Sequence, residues 1–531
     1  MIKLKNVSFA YSKDSANILK NINLEINDGK CVAFIGASGC GKTTLTRLIN
    51  GLAYKFYGGK LKGEISIDGI NPLEKELYEI GRKVGSIFQN PKSQFFAENV
   101  EDEIAFGLEN YGIEREKIDK IINNSLKSIN GENLKDKNLF HLSSGERQKI
   151  AIASINALNP PIYVFDEPSA NLDMKSVEAL RKLMLLLKKN KKTIIISEHR
   201  LYYLRGIVDK YYYLENGEIS NVFTEEELLS KSEDFFNKLG LRFFSLNKIS
   251  PKINKLKEIN SMNLEKISFS YNKNVLIKDL TYEFKSGNIY GIIGDNGIGK
   301  STLFKILSGL MKKDSGFISI NGEKLNKRNR QKRIYYLSNN PDSNLFEVSA
   351  EDELKLNNKD ADTDKILADF NLENIKDIHP QIMSGGQKQR LTIASAELLE
   401  RDVYLFDEPT SGLDGHNMQI ISERMKKLQE KEKIILIISH DYEFLCNSCN
   451  KILYLDGYSF EEFSTKEDKE KILAILMGKN LIFRRGFDGS NKTICKKEKR
   501  LIFYVNLTGN NWSSGWAFFL YIHGKNRCKL N

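Results

Sequence analysis

One block of residues occurs twice in this chain of 531, with Ser143, Glu167 and His199 in the first copy and Ser384, Glu408 and His440 in the second, each pair 241 positions apart. Upstream of each block lies a Gly-x4-Gly-Lys-Ser/Thr loop, at residues 36–43 and 294–301. Such a duplication commits the chain to two units of like fold, each of ordinary domain size. The chain divides into a first unit (1–240), a connector rich in Lys, Ser, Asn and Ile (241–260), a second unit (261–478) and a tail (479–531).

Both units open on an alternating, strand-like pattern that ends in an aromatic, Tyr11 and Tyr271. The offset between copies falls from 260 at these tyrosines to 258 at the loop lysines and 241 at the Ser-Gly blocks, so the second copy is trimmed between the two motifs, in loops and a helical region. Short apolar runs enter both glycine loops and helical patterns leave them, the strand, loop, helix context that a phosphate loop requires. Unbroken apolar runs ending at Asp166, Asp407, Ser197 and Ser439 predict strands in the middle of a parallel sheet. The fold class is therefore α/β. Thr224, followed by three glutamates, begins a helix with a capping-box pattern.

Apolar residues make up 41% and charged residues 28%, a soluble globular mixture, and no apolar run reaches the ~18 to 20 residues that span a bilayer. The N-terminal segment lacks the long apolar core of a signal peptide, so the protein is expected in the cytosol with its cysteines as thiols. Cys446 and Cys449 have a metal-like spacing but no second pair nearby, and read as thiols on a helix. The net charge of +11 is concentrated in the tail, where eleven Lys/Arg face Asp488 and Glu498. The repeated body is nearly neutral and gives no basic footprint for nucleic acid. The tail also holds Trp512 and Trp516, and reads as an interaction segment, a membrane-surface anchor or a divergent extension.

In a phosphate loop, glycines let backbone N–H groups converge on phosphate oxygens at a helix N-terminus. The candidate residues are Gly36, Ser38, Gly39, Gly41, Lys42, Thr43 and Thr44, with Gly294, Asn296, Gly297, Gly299, Lys300, Ser301 and Thr302 in the second copy. Lys42 and Lys300 would contact the β- and γ-phosphates, and the Thr43 and Ser301 hydroxyls would ligate magnesium. Asp166 and Asp407, at strand ends, suit support of the metal through its water. Glu167 and Glu408 are placed to orient or deprotonate the attacking water, and His199 and His440 to contact the γ-phosphate.

The segments Leu142-Ser-Ser-Gly-Glu-Arg-Gln and Met383-Ser-Gly-Gly-Gln-Lys-Gln-Arg resemble the signature of ATP-binding-cassette (ABC) ATPases, and the resemblance covers residues 1 to about 478. It implies two tandem P-loop NTPase domains, each a mostly parallel core sheet with an antiparallel β subdomain and a helical subdomain, using ATP and Mg2+. It implies that Tyr11 and Tyr271 stack on adenine, that Gln89 links metal, γ-phosphate region and transporter subunit, and that residues 169–173 and 410–414 communicate between copies. Facing head to tail, the copies would form two composite sites. The first joins Tyr11, Lys42, Thr43, Gln89, Asp166, Glu167 and His199 to Ser384, Gly385 and Gly386. The second joins Tyr271, Lys300, Ser301, Asp407, Glu408 and His440 to Ser143 and Gly145. The second departs from the family pattern at Ser144, Glu146 and Asn339, so the first is expected to hydrolyse ATP faster.

Residues 39–51, 56–57 with 61–64, 88–96 and 167–173 look most like tandem ATPases of energy-coupling-factor importers. That subgroup takes up vitamins, their precursors or transition-metal ions, and implies two membrane partners, a transmembrane coupling protein and a substrate-binding protein, with this chain at the cytoplasmic face. Phe95, Phe96, Leu345 and Phe346 are candidates for the groove that receives a coupling helix, or are core aromatics. Soluble tandem ABC ATPases acting on ribosomes or DNA, sugar-importer ATPases and exporter ATPases remain alternatives.

Overall fold

The computed structural model describes residues 1–12, 15–252, 254–271 and 274–479; the tail, with its two tryptophans, lies outside them. Residues 1–479 form one compact unit.

In the first copy, six strands lie in the order Val84–Ile87, Ile162–Asp166, Thr193–Ser197, Cys31–Ile35, Lys210–Glu215, Glu218–Phe223. The first five run parallel and the last is antiparallel. The second copy repeats this order with Ile334–Leu337, Val403–Asp407, Ile434–Ile438, Ile289–Ile293, Lys451–Leu455 and Phe460–Ser464. Cys31–Ile35 and Ile289–Ile293 are buried throughout, as expected of strands covered on both faces. The chain leaves Ile35 into the phosphate loop, and the next two strands on one side of it end at Ser197 and Asp166, so the sheet brings three separate motifs to one edge.

A smaller antiparallel sheet accompanies each core, Leu19–Ile26, Ile2–Ala10 and Lys60–Ile67 in the first copy and Asn274–Lys285, Ser261–Tyr271, Ser315–Ile320 and Glu323–Lys324 in the second. Helices Val100–Asn110, Arg115–Ser128 and Ser144–Leu158 form a helical segment, matched by the shorter Ala350–Asn357, Thr363–Asp369 and Gly385–Glu397. Part of the trimming expected from the sequence falls on these helices, and the rest precedes them, where the short helix Leu52–Lys55 has no counterpart among the described residues and the offset has already fallen to 250 at Asn90 and Asn340. Thr224 caps the helix Glu225–Ser230 through a capping box.

The connector is more than a spacer. Leu241 and Phe244 are buried in the core of the first copy, while Phe243, Leu246 and Ile249 are buried in that of the second. The apolar residues scattered among its Lys, Ser and Asn tie the two units together. Cys446 and Cys449 are buried free thiols, and burial pushes both well above the ordinary thiol range, Cys446 to about 12.

Candidate active site

Each phosphate loop ends in a glycine, Gly41 (φ 108°) and Gly299 (φ 107°), that caps the next helix in a conformation a side chain would strain. Lys42 Nζ donates to the carbonyls of Gly36 and Ala37, both at 2.9 Å, and Lys300 Nζ to those of Gly294 (2.7 Å) and Asp295 (3.0 Å). Both ammonium groups thus lie folded within their loops. Thr43 donates to Asp166 at 3.1 Å, and a hydroxyl beside a carboxylate is a hard oxygen pair that fits magnesium. Ser301 stands in the same relation to Asp407 and favours its charged form.

Glu167 (φ 45°) and Glu408 (φ 52°) both occupy the left-handed region, strained for a non-glycine residue. Their N–H groups donate at 2.9 Å to Ser197 and Ile438 on the next strand, which fixes both turns. The side chains then differ. Gln89 donates to Glu167 at 2.7 Å and His199 Nε2 lies 3.1 Å away. Burial opposes ionisation of Glu167, but His199 and Lys42 outweigh it and hold the carboxyl below its usual range. At Glu408, His440 Nε2 stands at 3.7 Å and Oε1 is buried without a hydrogen-bond partner. Burial and the neighbouring Asp407 push it up to about 8, and burial with Lys300 holds His440 down at about 4. Asn339, the counterpart of Gln89, makes no side-chain hydrogen bond among the described residues.

The aspartates are anchored differently as well. Asp166 receives a hydroxyl from Ser197, and its counterpart Asp407 has Ile438 at that position. Tyr336 replaces the missing donor from the other side, donating to Asp407 at 3.2 Å.

The copies meet head to tail. A cavity of about 740 Å³ brings Ser143, Ser144 and Arg147 of the first copy to Asn296, Gly297, Gly299, Lys300, Ser301, Thr302, Asn339, Asp407, Glu408 and His440 of the second. Gly145 does not line it; a Cβ there would meet Ser176 Oγ at 2.5 Å. Asp173 accepts from Asn296 Nδ2 at 2.6 Å, and Lys175 pairs with Asp295 at 2.5 Å. Reciprocally, Asp414 accepts from the Ser38 N–H of the first phosphate loop at 2.6 Å. Ser411 donates to the Ala170 carbonyl (2.8 Å) and to Asn171 (2.9 Å), joining the loops 169–173 and 410–414.

Glu146 and Gln387 do the same structural work, each closing a capping box with Ser143 or Ser384. Their chemistry is unequal, because the Glu146 carboxylate, held below its usual range by its hydrogen bonds to Ser143, adds negative charge beside the cavity and accepts the Ser143 hydroxyl at 2.8 Å. Tyr11 sits edge-on to Tyr57, with the Arg47 guanidinium 4.7 Å from the Tyr57 ring centre; Tyr271 is 51% exposed at its strand end.

The sequence model described as "ABC transporter" matches residues 19–170 and 277–411. An ABC transporter ATP-binding protein of Treponema denticola, provisionally so named, is 38% identical over 467 residues, covering 86% of this chain and 96% of the relative. The chain belongs to the ABC transporter family. It is an ABC ATPase, built to bind ATP as the ATP-binding subunit of a transporter. A Bacillus subtilis protein, YkoD, provisionally named an HMP/thiamine import ATP-binding protein, is 29% identical over 498 residues, 87% of this chain and 91% of that one. The solved structure of an RNase-L inhibitor, 21% identical, superposes over 89% of this chain and 93% of that one with a TM-score of 0.62, a likeness of fold.

With two ABC domains in view, the residues that sequence reasoning missed stand out. Tyr336, Lys175, Arg200 and Arg242 all touch the composite sites or the loops that build them. Comparing the copies position by position flags the loss that Tyr336 makes good, since Ser197 is matched by Ile438, but not Tyr336 itself. Arg242 gives no such signal, because it lies in the connector.

Proposed function

We propose that this chain is the ATP-hydrolysing subunit of an energy-coupling-factor type importer, taking up a vitamin, a vitamin precursor or a transition-metal ion through separate membrane subunits. The reciprocal contacts Ser38–Asp414 and Asn296–Asp173 carry the ATPase part of this reading. They support two ATP sites made within one chain, each completed by the other copy.

In the first site, Lys42 and the loop N–H groups bind the phosphates and the Tyr11 ring stacks on the base. Thr43, Asp166 and Gln89 would hold magnesium, which supplies charge neutralisation at the β- and γ-phosphates. Glu167, kept ionised and fixed by Gln89 and His199, accepts a proton from the attacking water at a carboxylate oxygen. His199, Ser384, Gly385 and Gly386 close around the γ-phosphate from the two sides. The second site repeats this with Tyr271, Lys300, Ser301, Asp407, Glu408 and His440 opposite Ser143, while Gly145 faces Ser176 and does not line the cavity. Binding draws the copies together and loss of the γ-phosphate releases them, a population shift that a membrane partner can follow.

The importer part is supported by the sequence resemblance, by the name of the Bacillus relative, and by Phe96 and Phe346. Both are 75% exposed at equivalent places, while Phe95 and Leu345 pack partly against their cores. An exposed aromatic beside a partly buried apolar residue, once per copy, suits two coupling helices of a membrane subunit. Among the described residues no helix is long and apolar enough to cross a membrane, and on this reading separate membrane subunits carry the translocation. Affinity purification from detergent-solubilised native membranes tests this: two small polytopic proteins in stoichiometric amount are expected. Ribosomal particles or repair proteins in their place would move the ATPase to the soluble class.

A further inference from the structure

In the first copy, Arg200 follows His199, is buried, and donates to the carbonyls of Ser169 (3.3 Å) and Leu172 (2.9 Å). Those carbonyls belong to the loop whose Asp173 reaches Asn296 in the second phosphate loop. A buried guanidinium therefore braces the loop that completes the second site. In the second copy the residue after His440 is Asp441, which cannot donate from an ionised side chain.

The guanidinium arrives from the connector instead. Arg242, buried at 3% exposure, donates from Nη1 to the Leu413 carbonyl (3.3 Å). It donates from Nη2 to both oxygens of Asp441 (2.6 and 2.5 Å) and from Nε to Glu443 (2.8 Å). Leu413 precedes Asp414, whose carboxylate meets Ser38 in the first phosphate loop. The connector is pressed against this loop: Gly415 N–H donates to the Gly240 carbonyl at 3.0 Å, and a Cβ at Gly415 would meet the Leu241 carbonyl at 2.3 Å. Arg200 itself lies 3.8 Å from Asp441, so Arg200, Asp441, Arg242 and Glu443 alternate in charge beneath the two loops.

We propose that Arg242 is a positioning residue for the first ATP site, a guanidinium lent by the connector to hold the 410–414 loop against the first phosphate loop. Arg200 plays the corresponding part for the second site from within its own copy. This rests on the site assignment proposed above. The planar fork explains the residue type: it satisfies two buried carboxylates and still presents an N–H to a carbonyl, which the point charge of a lysine cannot do in one position.

The test uses the full chain with one site left active, Glu408→Gln for the first and Glu167→Gln for the second. Arg242→Met is expected to lower kcat of the Glu408→Gln protein roughly tenfold with KM for ATP within about twofold, and to lower that of the Glu167→Gln protein less than about threefold. Arg200→Met is expected to show the opposite preference. Because Arg242→Met alone strands two buried carboxylates, a triple variant, Arg242→Met with Asp441→Asn and Glu443→Gln, removes the charges together. It is expected to melt near the parent and keep the first-site loss. Equal losses at both sites, or recovery of first-site turnover in the triple variant, would overturn the positioning role. If neither Glu167→Gln nor Glu408→Gln lowers turnover in the parent, the site assignment fails before Arg242 is tested.

Discussion

Replacing Glu167 with Gln is expected to remove most of the ATPase activity, and replacing Glu408 with Gln only a small part. The difference is worked from one hydrogen bond. Gln89 donates to Glu167 at 2.7 Å, whereas Glu408 has a buried oxygen with no hydrogen-bond partner and Asn339 in place of the glutamine. A hydrogen bond to a charged group contributes about 1.5 to 3 kcal/mol, and ~1.4 kcal/mol expressed in the transition state is a factor of ten in rate. Glu146 acts in the same direction by engaging the Ser143 hydroxyl, which lines the second site, in a hydrogen bond to a carboxylate. With the second site about tenfold slower and each base worth about 100-fold at its own site, Glu167→Gln leaves roughly one-tenth of steady-state turnover and Glu408→Gln roughly nine-tenths. The assay is phosphate release by the full chain at saturating MgATP. A larger loss in Glu408→Gln than in Glu167→Gln would refute the reasoning, because it would place the faster chemistry at the base with fewer partners.

Three further outcomes follow from the same contacts. Asn339→Gln, made in the Glu167→Gln background, is expected to raise second-site phosphate release several-fold, since the added methylene lets the amide reach Glu408; no change would show that reach is not the limit. Tyr336→Phe is expected to raise the Mg2+ concentration giving half-maximal ATPase in the Glu167→Gln background and leave the Glu408→Gln background unchanged, because Asp407 alone takes its hydroxyl donor from that tyrosine. Glu397 titrates in the folded protein at about 7, raised by burial from an ordinary 4.5 that Arg424, 3.7 Å away, only partly opposes. The folded state therefore holds more protons between those values, and stability falls as pH rises through 7, by about 3 kcal/mol at pH 8. Glu397→Gln is expected to raise the melting temperature at pH 8 and to change it much less at pH 5; equal shifts at both would contradict the assignment.

The motifs proposed to meet nucleotide were legible as motifs because each lies within a short segment: the phosphate loops, the aspartate–glutamate pairs at strand ends, and the histidines beyond the next strands. Apolar runs and glycine punctuation were enough to order the core sheet, since a strand covered on both faces leaves a continuous apolar signal. The long-range devices were not legible. The connector read as polar because Leu241, Phe243, Phe244, Leu246 and Ile249 are spaced irregularly and enter two different cores, so no single periodicity marks them.

The same reason explains how the copies diverged without losing their chemistry. Where Ile438 replaced a serine hydroxyl, Tyr336 supplies the donor to Asp407 from the opposite neighbouring strand. Where Asp441 stands in the place of an arginine, Arg242 supplies the guanidinium from the connector. A repeat comparison registers each loss at its own position and is blind to the gain elsewhere, because the compensating group is adjacent in space and not in alignment. Buried carboxylates force such compensation: Asp407, Asp441 and Glu443 cannot stay ionised without donors, so each must find one wherever the fold allows. Glu408, with a buried oxygen left unpartnered, is the place where compensation stopped, and that is why the second site is expected to be the slower one.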